Sequence, residues 1–389
     1  MSILPGAMLG LLGGGQLGRM FIMAAQSMGY RVTVLDPAAD CPSSGVADRH
    51  LCADYLDSDA LRELGSTSAG ITTEFENVPA EVLRTLAEYC VVSPASSSVA
   101  IAQNRILEKR FLTANGFAVA PYRVIHNPDS LHSLDGAAPQ AHPEQLPSLF
   151  PGILKVSRLG YDGKGQVLVN NAAELESAFI GMNRELCVLE KLMPLESEIS
   201  VIVGRTSDGQ AVTYPVPENQ HRQGILDVSI IPARVSPEII QSARKIAAQV
   251  AERLNYRGIL CVEFFVLAGG ELLVNEVAPR PHNSGHYTID ACITSQFEQQ
   301  VRILCGMPPG STEMRGAAVM VNLLGDLWRQ GEPEWEKVLR HPNVKLHLYG
   351  KLEARPGRKM GHYTVLDETT EAALRLALEI KQSLQPAGR

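Results

Sequence analysis

The stretch Ile153-Leu154-Lys155-Val156-Ser157-Arg158-Leu159-Gly160-Tyr161-Asp162-Gly163-Lys164-Gly165-Gln166 decides how the rest of the chain is read. An apolar strand carrying one lysine enters a loop with three glycines, and a second apolar strand, 167 to 169, takes the chain back. Glycines at 160, 163 and 165 permit positive φ and close backbone approach, so consecutive N–H groups can turn toward phosphate oxygens. Lys155 and Lys164 add two cationic donors. The hairpin therefore predicts a flap over a polyphosphate. It is not a Walker loop, because no Gly-Lys-Ser/Thr follows and the glycines lie between strands rather than before a helix. An ordinary glycine-rich turn has the same composition, so residues elsewhere must decide.

Downstream, the apolar runs 259 to 267 and 271 to 277 flank Gly269-Gly270, a two-residue hairpin turn. Counting outward from that turn sets Glu263 opposite Glu276. Like charges directly opposite destabilise a strand pair, so something positive should sit between them. Paired hard oxygens beside a polyphosphate suit Mg²⁺, with Mn²⁺ as a possible substitute. A protonated glutamate, or a bulge that shifts the register, would also relieve the clash. The loop that follows, Ala278-Pro279-Arg280-Pro281-His282-Asn283-Ser284-Gly285-His286, is dense in polar side chains. A helix is expected from 288 to 304, closed by Gly306.

Residues 8 to 36 read as strand, glycine turn, helix, strand. Gly13, Gly15 and Gly18 satisfy G-x-G-x-x-G and Asp36 ends the second strand, which is compatible with a nicotinamide dinucleotide site. A lone match of this kind is weak, and its safer content is a helix N-terminus able to take an anion. Alternating elements continue to about residue 92, so the first 100 or so residues form a parallel α/β layer. A helix over 96 to 115 carries Arg105, and 127 to 147 reads as an irregular surface insertion. Glu190-Lys191-Leu192-Met193 joins two segments and offers backbone groups to a flat base. The basic segment from Lys351 to Lys359 suits a second phosphate, and a helix spans 370 to 384.

The chain has 389 residues, 45% of them hydrophobic and 20% charged, with a net charge of -7. That is a globular composition, and it argues against a nucleic-acid partner, which favours a basic face. Seven scattered cysteines without a Cys-x-x-Cys pair read as reduced thiols in a cytoplasm. The apolar N-terminus reads as a first strand rather than a leader. No apolar run has the roughly 18 residues that a membrane helix needs.

Five motifs together resemble the ATP-grasp superfamily, and within it the ligases that carboxylate an aminoimidazole ribonucleotide. They are Gly-Gly-Gly-Gln-Leu-Gly-Arg-Met at 13 to 20, Thr-Glu-Phe-Glu-Asn-Val-Pro at 73 to 79 and Gly-Tyr-Asp-Gly-Lys-Gly-Gln at 160 to 166. The others are Asn-Glu-x-Ala-Pro-Arg-Pro-His-Asn-Ser-Gly-His at 275 to 286, and Tyr-Gly-Lys at 349 with Arg-Pro-Gly-Arg-Lys-Met-Gly-His at 355 to 362. The resemblance implies an α/β chain in three parts. A Rossmann-like pre-ATP-grasp domain with a parallel sheet spans 1–102. An ATP-grasp domain spans 103–308, with its flap subdomain at about 116–190, and a small C-terminal domain spans 309–389.

It further implies that ATP, bicarbonate and 5-aminoimidazole ribonucleotide give ADP, phosphate and the N5-carboxylated product through carboxyphosphate, for purine biosynthesis. The implied ATP contacts are Arg105, Lys155, Gly160, Tyr161, Asp162, Gly163, Lys164, Gly165, Gln166, Glu190, Lys191, Leu192, Met193, Glu198, His221, Asn275 and Glu276. Arg280 would hold bicarbonate, with His282, Asn283 and His286 lining the same cavity. Gln16, Glu74, Glu76, Tyr161, Asp162, Lys351 and Arg358 would meet the ribonucleotide, and Glu263 and Glu276 the metal. A homodimer is implied, with no membrane or nucleic-acid partner. One position departs from the superfamily pattern: Ala278 stands where many members place a metal-binding asparagine, and Asn275 precedes the glutamate instead. A different ATP-grasp substrate, or a nicotinamide-dependent dehydrogenase, are the rival readings.

Overall fold

The computed structural model describes residues 2–126, 149–158 and 165–385; the expected insertion and residues 160–164 of the flap lie outside the described residues. Among the described residues, three sheets carry the fold. The first has five parallel strands in the order Arg49–Leu51, Arg31–Leu35, Met8–Leu12, Gly70–Thr73, Val91–Val92. Its central strands are buried on both faces, which is why they read as largely apolar runs without alternation. The strand Arg49–Leu51 and the helix Ser58–Thr67 escaped sequence reading. The strand is partly exposed and polar, and only the Asp57 cap, which accepts from the Asp59 and Ala60 amides, marks the helix.

The second sheet is antiparallel, ordered Tyr122–Ile125, Cys187–Lys191, Gly152–Val156, Gln166–Val169. Lys155 pairs with Gln166, so the flap strands fold back on one another as the sequence predicts. The third sheet is antiparallel and nine-stranded, running Leu272–Ala278, Gly258–Leu267, Leu195–Arg205, Glu218–Arg222, Ile225–Ile231, Ala317–Leu324, Lys359–Asp367, Val344–Leu348. Ala211–Thr213 pairs beside Leu195–Arg205. The helix Pro237–Arg253 buries Ala243, Ala247, Val250 and Ala251 against its first half, and Thr370–Leu384 covers its last strands. The expected boundary at 309 therefore falls within one hydrogen-bonded sheet.

Two long expected helices are each divided. The span 96 to 115 is Ser96–Ala102 and Arg105–Ala114, because the Asn104 side chain accepts from the Ile106 and Leu107 amides and starts a new helix. The span 288 to 304 is Thr288–Ala291 and Gln296–Leu304, the second capped by Ser295 through the Glu298 amide. Both caps are short polar residues inside an otherwise periodic pattern, where periodicity outvotes them.

Candidate active site

The glutamate hairpin has the expected pairing by a different route. Glu263 does face Glu276, but the turn is looser than two residues: Val266 pairs with Leu272 and Phe264 with Val274. Counting from that turn would put Glu263 opposite Asn275. A β-bulge between Glu263 and Phe264 inserts one residue on the other strand and brings Glu276 into place. Burial first, and then the charge of Glu276, push the Glu263 carboxyl up to about 7. Each carboxylate has taken a partner, Arg105 Nη1 at 3.1 Å from Glu276 and His282 Nε2 at 3.2 Å from Glu263. Asn275 Oδ1 is buried without a hydrogen-bond partner.

Across from this hairpin lies a buried charge cluster. Glu190 Oε2 is 3.1 Å from Lys155 Nζ and 3.3 Å from Lys109 Nζ. Burial alone would raise the Glu190 carboxyl, but Lys109 and Lys155 hold it at about 2. Glu190 is 2% exposed, so it is not a solvated strand residue. Its neighbours follow: the Lys191 and Leu192 amides donate to the Pro121 and Pro151 carbonyls at 2.9 Å, and Met193 packs with Ala120, Leu267 and Leu273. Gly165, at φ +70, closes the flap hairpin through its carbonyl to Val156 N, with Gln166 beside it. Further along, His221 Nδ1 meets Glu198 Oε2 at 3.2 Å. Burial works against the His221 charge, but Glu198 outweighs it and raises the imidazole above its usual range.

The loop after the hairpin divides its side chains between cavity and support. Arg280 reaches Glu76 of the first domain with Nη2 2.8 Å from Oε1 and Nε on Oε2, a two-point pair. The adjoining cleft is lined by Glu76, Arg105, Ser157, Arg158, Glu276 and Pro279. His282 Nδ1 lies 2.9 Å from Ser284 Oγ, which in turn contacts Ser200 Oγ at 2.7 Å. Asn283 and His286 do not meet the expectation that they line the cavity in this arrangement. The Asn283 amide exchanges two hydrogen bonds with Asn322, at 3.0 and 2.7 Å. His286 is fully buried beside Phe297, Tyr349 and His362, and burial drives its imidazole well below its usual range. Both are supports of the loop. Asp290, His347 and His362 come close enough to suggest a metal. The two rings, however, stack 4.6 Å apart with planes 12° apart, so their in-plane lone pairs lie in two nearly parallel planes that do not meet at one ion.

In the first domain, the glycine turn is already filled by the chain itself. Glu74 accepts from Gly15 N at 2.7 Å and Gly18 N at 2.9 Å, and Asp36 accepts from Gly14 N at 2.6 Å. These are the donors that a dinucleotide pyrophosphate would need, and a Cβ at Gly15 would lie 2.6 Å from Glu74 Oε1. The dinucleotide reading is therefore overturned, and Glu74 is committed as a helix cap, leaving Glu76 as the acid of that pair in the cleft. Lys351 Nζ donates to Gln16 Oε1 at 2.6 Å, joining the two ends of the chain. Arg358 lies on the same segment and donates to the Glu353 carbonyl. Sequence reading missed Glu108 and Lys109. The charge of Lys359 is felt at His221, Glu263 and His282. Glu108 and Lys109 sit one helical turn beyond Arg105, and that spacing was the available signal. Residues 160–164, including Tyr161, Asp162 and Lys164, lie outside the described residues.

A flap sheet carrying Lys155, set against a hairpin carrying two opposed carboxylates, defines an ATP-grasp enzyme. The ATP-grasp domain model matches residues 110–297, the ribonucleotide synthetase preATP-grasp domain residues 7–103, and the phosphoribosylaminoimidazole carboxylase C-terminal domain residues 318–376. N5-carboxyaminoimidazole ribonucleotide synthase of Bacillus subtilis is 43% identical over 94% of this chain and 93% of its own. The ADP complex of the Staphylococcus aureus synthetase superposes with a TM-score of 0.89 at 36% identity, covering 99% of this chain and 98% of that one. The Aspergillus clavatus synthase, in complex with ADP and 5-aminoimidazole ribonucleotide, gives 0.87 at 29%, covering 97% and 98%. The chain belongs to the N5-carboxyaminoimidazole ribonucleotide synthase family, carbon–nitrogen ligases of purine biosynthesis.

Proposed function

We propose that this chain joins bicarbonate to the exocyclic amine of 5-aminoimidazole ribonucleotide with cleavage of ATP, and that the residues above divide the work as follows. A bicarbonate oxygen attacks the γ-phosphorus, the bond to ADP breaks, and carboxyphosphate forms. The amine then bonds to the carboxyl carbon, phosphate leaves, and the amine gives up a proton. Bicarbonate is a poor electrophile, which is why the first step is needed. Lys155 and Arg105 neutralise charge spreading over the transferring phosphoryl group. Glu190 to Met193 line the adenine, and Glu198 with His221 faces the ribose. Arg280, held flat by Glu76, presents its guanidinium to bicarbonate, and His282 borders the same space. Lys351 and Arg358 serve the ribonucleotide phosphate, with Gln16 and Glu76 from the first domain.

The donor set fits Mg²⁺ or Mn²⁺: two facing carboxylates, one of them pushed up to about 7, and the unpartnered Asn275 oxygen. Such an ion, held by Glu263 and Glu276 with Asn275, would supply positive charge to the polyphosphate. Asn275 then takes the place that Ala278 leaves empty in the superfamily pattern.

The observation that carries the reading is the Arg280–Glu76 pair. It ties the first domain to the loop beside the glutamate hairpin, which supports a reading in which the bicarbonate and ribonucleotide ends meet there. The test is ADP release with Mg-ATP and bicarbonate, with and without 5-aminoimidazole ribonucleotide, while trapping labelled carbon. ADP release that needs both partners, with label entering the ribonucleotide, is the expected result. ATP hydrolysis indifferent to the ribonucleotide would overturn the substrate assignment. We also infer a homodimer working in the cytoplasm, where the seven free cysteines stay reduced. Light scattering at twice 42.2 kDa would support the dimer, and a monomer mass would remove it.

A further inference from the structure

The helix Arg105–Ala114 grips three consecutive residues of the glutamate hairpin. Arg105 Nη1 holds the Glu276 carboxylate, Lys109 Nζ donates to the Asn275 carbonyl at 3.0 Å, and Glu108 Oε1 accepts from Val277 N at 2.6 Å. Those residues form and follow the bulge, where the ordinary ladder is interrupted and backbone groups need other partners. Lys109 does more than the other two. Its ammonium, with a fully buried side chain, also lies 3.3 Å from Glu190 on the strand Cys187–Lys191 of the other sheet. One cation thus spans the adenine-lining strand and the metal-binding strand.

We propose that Lys109 is a positioning residue for phosphoryl transfer: it locks the two sheets in register across the nucleotide, and it balances Glu190 so that Lys155 can turn to the polyphosphate. The proposal rests on the nucleotide reading above. The electrostatic reason is a count of charges. Glu190 Oε2 accepts a hydrogen bond from Lys155 and forms an ion pair with Lys109, and both lysines are buried. If Lys155 alone faced Glu190, moving it to a phosphate would strand a buried carboxylate, which is strongly unfavourable. With Lys109 in place, Glu190 keeps a cation throughout. Lys109 need not touch the nucleotide to do this.

The test compares Lys109→Gln, Lys109→Arg, Glu190→Gln and the Lys109→Gln/Glu190→Gln pair, reading Mg-ADP affinity by calorimetry, thermal midpoint, and kcat and KM for ATP. Lys109→Gln is expected to fold and to bind Mg-ADP about tenfold to a hundredfold more weakly, the usual loss when a group that orients a metal site is removed. Its kcat falls as well, and Lys109→Arg restores most of both. Wild-type affinity and kcat in a folded Lys109→Gln would overturn the proposal. Should Lys109→Gln fail to fold, the double variant decides, because it removes one charge of each sign and leaves the net charge of the cluster as in the wild type. Affinity equal to that of Glu190→Gln alone would overturn the sheet-locking role, and a further loss would support it. The calorimetric arm needs no ribonucleotide, so a wild type that binds Mg-ADP but carboxylates nothing removes the substrate reading and leaves this one standing.

Discussion

Glu276 takes part in most of what the site does: it faces Glu263, pairs with Arg105 and borders the cleft. Glu276→Gln should keep the fold, since it relieves one repulsion while costing one ion pair, and should lose about a hundredfold or more in Mg-dependent ADP release. Calorimetry of Mg-ADP binding beside a melting curve checks both halves, and full retained activity would sink the metal assignment. Arg280→Lys keeps the charge but loses the planar two-point pair with Glu76, so the KM for bicarbonate should rise by about tenfold or more at similar stability. An unchanged bicarbonate KM would take Arg280 out of that role. Individual residues were legible wherever charge had to be explained. Two glutamates on an apolar hairpin ask for a cation in the sequence itself, whereas the Glu76 partner of Arg280 came only with the fold. Lys109 was not legible, because a lysine on an amphipathic helix normally faces water, and only the fold shows that it is buried.

At the scale of elements, the helix Arg105–Ala114 depends on its cap for more than stability. Asn104→Ala should cost about 1 kcal/mol and Asn104→Gly only a few tenths. Because Arg105 is the first residue of that helix, the alanine variant should also raise the KM for ATP; a melting series with parallel kinetics would separate the two effects. A lowered midpoint with an unmoved KM would mean that the cap serves the fold alone. Element type was legible from periodicity in the flap hairpin, the first βαβ unit and the last helix, where apolar spacing is regular. Breaks inside long helical patterns were not, since one asparagine or serine changes the hydrogen bonding of a turn without disturbing the apolar stripe. The bulge was equally hidden: the right pairing followed from a turn counted one residue too tight, and the inserted residue restored it.

For the molecule as a whole, pH should act through buried imidazoles. His286 and His362 are fully buried, and burial holds both well below the usual histidine range. A base whose folded value is depressed stabilises above the unfolded value and loses that contribution as pH falls. Stability should therefore decline below about pH 6.5, by about 1.4 kcal/mol per pH unit for each such histidine. His362→Asn should flatten that decline, and a wild-type slope in the variant would remove His362 as its source. The parallel α/β layer of the first 100 or so residues was legible from the order of strands and helices. The joining of the last two parts was not, because strand patterns do not name their partners.

That joining reaches beyond the site. The Ile225–Ile231 strand takes its second neighbour from Ala317–Leu324, so a shortened chain ending before residue 317 would leave Val228, Ser229, Ile230 and Ile231 on an open edge. The last 70 or so residues could then be neither shed nor exchanged as a cassette. A lineage that altered its ribonucleotide would have to do so by editing side chains in place, because trading the segment would tear the fabric that also carries the nucleotide.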